Sequence, residues 1–242
     1  MINNYENFLK IFNRIKNQGF VKSQFYDSGA AGKTFETLLN KKLDNKQLPD
    51  YGDIEIKTVM DNSKYPISLF SCSISKANNN SNDSILYLLN NYGYDIDYNY
   101  KALRINVKCD SIKYCKNGFG FMIKVSTRLR KIYLFIFHRG KLIDMSLHWN
   151  FDELNYIFEK KLKKLICVKY DKMTLGGVKY FSYHDFDYFE LQSFAKIIEA
   201  IKNNIITISF NLNKKNKSLD YHGINFVIHY NNLKNIYNKR LL

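Results

Sequence analysis

Pro49-Asp50-Tyr51-Gly52-Asp53-Ile54-Glu55-Ile56-Lys57 is the stretch whose reading decides the fold. Strand side chains alternate between faces, so Glu55 and Lys57 project from one side while Ile54, Ile56 and Thr58 face the other. Asp50 precedes a short Tyr51-Gly52 turn, close enough to converge on the same point as Glu55. Two acidic oxygens can hold a Mg²⁺ whose other positions take waters and a phosphate oxygen. A lysine beside them can orient an attacking water and balance charge developing on phosphorus. A Glu-x-Lys pair alone is common and, in a lysine-rich chain, is usually a solvated face. Three neighbours favour chemistry here: the apolar alternation through Ile54, Ile56 and Val59, the Pro49-Asp50 turn, and an acidic helix upstream.

The chain has 242 residues, 45% of them hydrophobic, enough for one sizeable core and at most two lobes. Its formal net charge of +15 calls for a polyanionic partner, either nucleic acid or an anionic membrane surface. No run of about 18 apolar residues exists and no basic amphipathic helix stands out, which leaves nucleic acid ahead of a membrane. Residues 1–7 lack the basic-then-apolar order of a signal peptide, so the expected location is the bacterial cytoplasm. Cys72, Cys109, Cys115 and Cys167 form no CxxC pair and read as free thiols. The heavy aromatic content, 16%, falls mostly in apolar alternations and reads as core.

The periodicity predicts an amphipathic helix over 5–17, then a loop with Gly29 and Gly32 leading into a helix that Thr34 starts, with Phe35, Leu38, Leu39 and Leu43 as its stripe. The motif strand is expected at 53–60 and another at 67–72, followed by an Asn-rich loop over 76–84 and a short helix over 85–89. Strands are predicted at 103–107, 119–125, 132–137 and 142–147. The remainder predicts helices at 150–162 and 188–202, strands at 165–170, 205–212 and 224–228, and a basic loop over 213–217. Asp95/Asp97 and Asp185/Asp187 read as exposed turns. The whole reads as a mixed α/β single chain of two lobes sharing one cleft.

Gly29-Ala30-Ala31-Gly32-Lys33-Thr34 invites a phosphate-loop reading, but Asp27 stands where that motif needs glycine, and no buried aliphatic strand precedes it. A tight turn before a helix fits better. Glu36 is then either a first-turn acid favoured by the helix dipole or a third carboxylate reaching Asp50 and Glu55.

The run Gly29-x-x-Gly32-Lys33-Thr34-x-Glu36-x-Leu38-Leu39 followed by Pro49-Asp50-x-Gly52-Asp53-Ile54-Glu55-Ile56-Lys57 resembles the MvaI/BcnI restriction endonucleases, relatives of the mismatch-repair nicking enzyme MutH. Further matches run through Pro66-Ile67-Ser68-Leu69-Phe70, Gly118-Phe119-Gly120-Phe121, Leu147-His148-Trp149-Asn150, Phe181-Ser182-Tyr183 and Asp220-Tyr221-His222-Gly223-Ile224-Asn225-Phe226. The resemblance implies a PD-(D/E)xK fold, a mixed sheet flanked by helices with two lobes forming a DNA-binding cleft. It implies a catalytic lobe mainly in the N-terminal half, its active site within about residues 1–90, and a DNA-recognition lobe mainly in the C-terminal half. It implies Mg²⁺, with Mn²⁺ able to substitute and Ca²⁺ able to support binding only. Carried over, Asp50 and Glu55 are metal ligands with the Ile56 carbonyl, Lys57 serves the attacking water, and Glu36 is the accessory acid. It further implies a monomer that cuts duplex DNA by two successive nicks, and a cognate methyltransferase acting on the same site.

The DNA-contacting set is expected to be Lys33, Ser209, Asn211, Lys214, Lys215, Asp220, Tyr221 and His222. The chain departs from the family's pattern at Val227, Ser209 and Asn211, where an arginine, an acid and a second arginine are usual. Arginine pairs with guanine and asparagine with adenine, so a target containing A·T pairs is expected. A strand-specific repair nickase and a catalytically silent DNA-binding module remain the alternatives.

Overall fold

The motif strand, Glu55–Met60, lies at the edge of a sheet, hydrogen-bonded in parallel to the strand Lys164–Leu175. A parallel neighbour requires a crossover, and here the connection is about a hundred residues long because most of a second unit intervenes. In this computed structural model the described residues are 4–41, 48–61, 63–76, 81–215, 218–219 and 223–240. The chain divides into two compact units, one of Met1–Ile67, Ile157–Gln192 and Ile236–Leu242, the other of Ser68–Tyr156 and Ser193–Asn235. Each unit draws on both halves of the sequence.

In the first unit, sheet order runs Val21–Lys22, Val178–Leu191, Lys164–Leu175, Glu55–Met60, with Tyr237–Arg240 also paired to Val178–Leu191. The helices Asn4–Lys16 and Ala30–Leu38 bury Phe8, Phe12, Ile15, Ala31 and Phe35 together with Ile54, Ile56, Ile166, Val168 and Tyr183. Phe8 lies at the centre of an aromatic cluster, its ring 5.3 Å from Phe186, 6.0 Å from Phe12 and 6.1 Å from Tyr51 between centroids. The apolar alternation read in the motif strand is thus anchored from below by Ile54 and Ile56.

In the second unit, one antiparallel sheet orders Ser75–Lys76, Lys141–Asn150, Lys131–His138, Phe119–Ser126 and Lys113–Tyr114. Another orders Ile67–Ser71, Ile224–Ile228, Ile206–Lys215, Tyr100–Val107 and Tyr94–Asp97, with Ser218–Leu219 paired to Ile206–Lys215. Trp149 is buried against Phe210 and Phe226. No helix among the described residues is long and apolar enough to cross a membrane.

Several expected elements differ. The helix predicted over 188–202 is only Phe194–Lys202, capped by Ser193, whose hydroxyl accepts from the Lys196 N–H. Tyr188 and Phe189 instead complete a long strand opposite Ile166 and Leu165, where aromatics pack well on a pleated surface. That strand and its partner form a hairpin turned by Gly176 and Gly177 at φ of +55° and +78°, a glycine pair that extends the strand predicted at 165–170 to Leu175. Asp187 lies buried in this strand and pairs with Lys239 at 2.5 Å, and Asp185 beside it pairs with Lys169 at 2.8 Å, so neither is a turn. Asp95 and Asp97 likewise lie in a strand. The helix expected at 85–89 runs Ser81–Tyr92, and the helix expected to start at Thr34 starts at Ala30.

Phe8→Ala is expected to destabilise the chain by roughly 3–5 kcal/mol, the usual cost of deleting a fully buried ring. Urea unfolding measures it, and a loss below about 1 kcal/mol would contradict the packing described.

Candidate active site

The residues before the motif strand form a tight turn. Tyr51 and Ile54 exchange backbone hydrogen bonds at 2.9 Å in both directions, and Gly52 supplies a φ of +59° between them. A Cβ at Gly52 would meet Asn4 Nδ2 at 2.4 Å and push that side chain aside, so it is the positive φ that requires glycine. Asn4 in turn donates to Asp53 Oδ1 at 2.9 Å, and Lys164 to Asp53 Oδ2 at 2.5 Å, which ties the turn to the first helix and the neighbouring strand. Asp53 is thereby a structural residue of the turn.

The turn carries Asp50 back over the strand, where its Oδ2 accepts from the Ile56 N–H at 3.0 Å. Glu55 is buried, with Oε1 bonded to Lys57 Nζ at 2.6 Å and 3.4 Å from Lys161 Nζ. Glu55 Oε2 is buried with no hydrogen-bond partner among the described residues. Burial pushes the Glu55 carboxyl above its ordinary range; Lys57 opposes this and the Asp50 charge adds to it. Burial works against the Lys57 charge, yet Glu55 keeps the ammonium above its usual value. Glu36, at the third position from the end of its helix, faces the same cluster, and burial followed by the Asp50 charge raises its carboxyl. The first-turn reading of Glu36 is therefore overturned, because the helix begins six residues earlier, at Ala30.

Glu36, Asp50, Glu55 and Lys57 are thus brought together, and two lysines that no spacing signalled join them. Lys41 pairs with Asp50 and stands 3.9 Å from Glu36 Oε2, and Lys161 ends the helix Phe151–Lys161. An unpartnered buried carboxylate oxygen beside a second carboxylate fits a hard divalent cation, which takes one or two carboxylates and completes its shell with water. No group of three or more His, Cys, Asp or Glu arranged to hold a metal occurs among the described residues. Lys33 is not part of the cluster; it pairs with Asp27 at 2.5 Å on the surface.

A model of the MvaI/BcnI restriction endonuclease family matches residues 9–237. The chain belongs to the MvaI/BcnI restriction endonuclease family. It is a type II restriction endonuclease, a site-specific deoxyribonuclease, and such enzymes generally use a divalent metal. Among solved structures it is similar to a complex of restriction endonuclease MvaI with cognate DNA substrate, at TM-score 0.89 and 25% identity over 99% of both chains. It is also similar to MvaI in the absence of DNA, at TM-score 0.61 and 26% identity over 99% of this chain and 98% of that one. No curated protein matches the chain.

In the second unit of this family member, directly opposed residues of an antiparallel ladder share a face. Ser209 lies opposite Asn225 on one side and Asn106 on the other, and Asn211 lies opposite Arg104. The alternate residues Ile208, Phe210 and Leu212 are buried, so the polar row occupies the other face. Arg104 donates to Asn213 Oδ1 through Nε at 3.0 Å and Nη2 at 2.9 Å, and Ser71 donates to Asn225 Oδ1 at 2.5 Å. Arg104, Asn106 and Asn225 were not among the expected contacts; only strand register could have found them. Lys214 donates to Asn90 Oδ1 at 3.4 Å and Lys215 is exposed, while Asp220, Tyr221 and His222 lie outside the described residues. Val227 is buried in the strand Ile224–Ile228.

Because the Glu55 carboxyl is raised in the folded chain, the unfolded chain releases this proton first as pH rises, and stability falls through the carboxylate range. Without metal, Glu55→Gln is expected to melt above the parent at about pH 7, with the gain vanishing near pH 3, where both side chains are neutral. No gain at neutral pH would contradict burial as the dominant influence on Glu55.

Proposed function

We propose that this enzyme hydrolyses phosphodiesters at a short specific site in duplex DNA, with Mg²⁺ held by Asp50, Glu55 and the Ile56 carbonyl. The observation that carries the reading is the convergence of Glu36, Asp50, Glu55 and Lys57 around a buried carboxylate oxygen without a donor. When bound, the metal supplies Lewis-acid stabilisation of charge at the phosphoryl group. Lys57 orients the attacking water and offsets the charge growing on phosphorus. Glu36, its carboxyl raised by burial and by Asp50, is suited to exchange a proton with that water. The water oxygen bonds to phosphorus in line as the bond to the 3′ oxygen breaks, the 3′ oxygen takes up a proton, and the 5′-phosphate remains.

Duplex DNA as the partner is supported by the family and by the likeness to MvaI bound to its DNA substrate. In this reading Ser209, Asn211 and His222 read base edges, Asp220 and Tyr221 are further DNA contacts, and Lys33, Lys214 and Lys215 contact phosphates. Arg104 lies across from Asn211, but its guanidinium is held by Asn213 and the Tyr100 hydroxyl, so Asn211 remains the adenine-type reader of this face. The catalytic lobe is the unit holding Glu55 and the recognition lobe the unit holding Asn211. The enzyme works as a monomer in the bacterial cytoplasm, nicking the strands in succession, alongside a methyltransferase of the same site.

With Mg²⁺ the enzyme is expected to linearise a supercoiled plasmid, and end mapping then reads site and overhang together. Accumulation of open circles alone would point to a strand-specific nickase. Asp50→Ala is expected to abolish cutting while DNA binding survives, and Lys57→Ala to slow single-turnover cleavage by about a hundredfold or more. Cutting by Asp50→Ala at the parent rate would remove the site assignment.

Asn211→Ala is expected to cost ~1–3 kcal/mol of discrimination at one base pair. A competition digest of cognate and singly mismatched duplexes measures it; equal loss on all substrates would show that Asn211 reads no base.

A further inference from the structure

Three carboxylates, Glu36, Asp50 and Glu55, are answered by three ammonium groups, Lys41, Lys57 and Lys161. Lys57 and Lys161 share one oxygen, Glu55 Oε1, and leave Oε2 alone. Lys41 differs. It pairs with Asp50 Oδ1 and reaches toward Glu36 Oε2 at 3.9 Å, so it bridges the two acids that are not on the strand. The other Asp50 oxygen accepts from the Ile56 N–H, so the Lys41-held oxygen is the one whose present partner is itself a cation. Lys41 is placed by backbone geometry: its N–H donates to the Glu36 carbonyl at 3.0 Å, just past the end of the helix Ala30–Leu38. Its side chain is only 19% exposed, so the charge is not merely a solvated neighbour.

We propose that Lys41 is an internal counter-ion, occupying the cation position between Glu36 and Asp50 and giving it up when a divalent ion enters, so that it sets the metal concentration at which the site loads. The proposal rests on the reading of Asp50 and Glu55 as metal ligands. An ammonium and a divalent cation against the same carboxylate oxygen repel at a few ångströms in a half-buried site, where screening by water is weak. The ion pair with Asp50 and the approach to Glu36 hold the Lys41 ammonium where an arriving cation would meet it. The lysine therefore keeps the acids from repelling one another in the metal-free chain and competes with metal by mass action. A residue that merely braced Asp50 would act in the opposite sense, because its loss would loosen the ligand and weaken metal binding.

The sign of the change in metal affinity separates these roles. Mn²⁺ is titrated calorimetrically into the full metal-free chain, and into Lys41→Met, Lys41→Gln, Lys41→Arg and Asp50→Asn. Lys41→Met and Lys41→Gln are expected to bind Mn²⁺ about tenfold more tightly than the parent, and Lys41→Arg to stay near it. Thermal melts follow the same linkage: both neutral variants melt lower in chelator yet gain more from Mn²⁺ than the parent does. Unchanged or weaker binding by the neutral variants, with binding lost in Asp50→Asn, overturns the role of Lys41 and leaves the metal ligands standing. Parent-like binding by Asp50→Asn overturns the ligand assignment, and the proposal with it.

Discussion

The burial of the Glu55 carboxylate is the constraint on which the rest of the first unit's charged cluster depends. A carboxylate withdrawn from water needs opposite charge and donors near it, or it takes up a proton. Two lysines meet that need on one oxygen: Lys57 from the same strand and Lys161 from the end of the helix Phe151–Lys161. The parallel strand Lys164–Leu175 sets Leu165 opposite Glu55 and Cys167 opposite Lys57, so the strand that carries the pair cannot slide without breaking it. The second oxygen has no donor among the described residues, a local cost of its burial.

That cost is sustained by the apolar side of the same strand. Ile54 and Ile56 join Phe8, Phe12, Phe35 and Tyr183 in a closely packed aromatic and aliphatic core. The tight turn at Gly52, braced by Asn4 and Lys164 through Asp53, fixes where Asp50 enters. Strand pairing, turn geometry and core packing therefore converge on one pair of carboxylates, while the charges there work against stability. Such opposition between local cost and global support is common at functional sites.

Much of this was legible in the sequence because it is local. The alternation of Ile54 and Ile56 with Glu55 and Lys57 fixes which of these side chains face the core, and the turn before them requires a glycine. Glu36 was legible as a candidate, but not its position near the helix end, since Gly29-Ala30-Ala31-Gly32 reads as a loop until the helix is seen to begin at Ala30. Lys41 and Lys161 were not legible, because neither is spaced from the motif by any helical or strand period; folding alone brings them in. Arg104 and Asn225 were hidden for the same reason, their partners lying across a ladder at separations of more than a hundred residues and about fifteen respectively. The long hairpin was missed where Tyr188 and Phe189 mimic a helical stripe, although Gly176-Gly177 announced the turn.

The central claim is that the orphaned Glu55 oxygen and Asp50 together hold the metal. Anomalous diffraction from crystals of the enzyme soaked in Mn²⁺ tests it most directly. The expected result is a peak about 2.1 Å from Glu55 Oε2 and from an Asp50 oxygen, with Lys41 turned away. A fully occupied Mn²⁺ site elsewhere, with Glu55 Oε2 still bare, would contradict it.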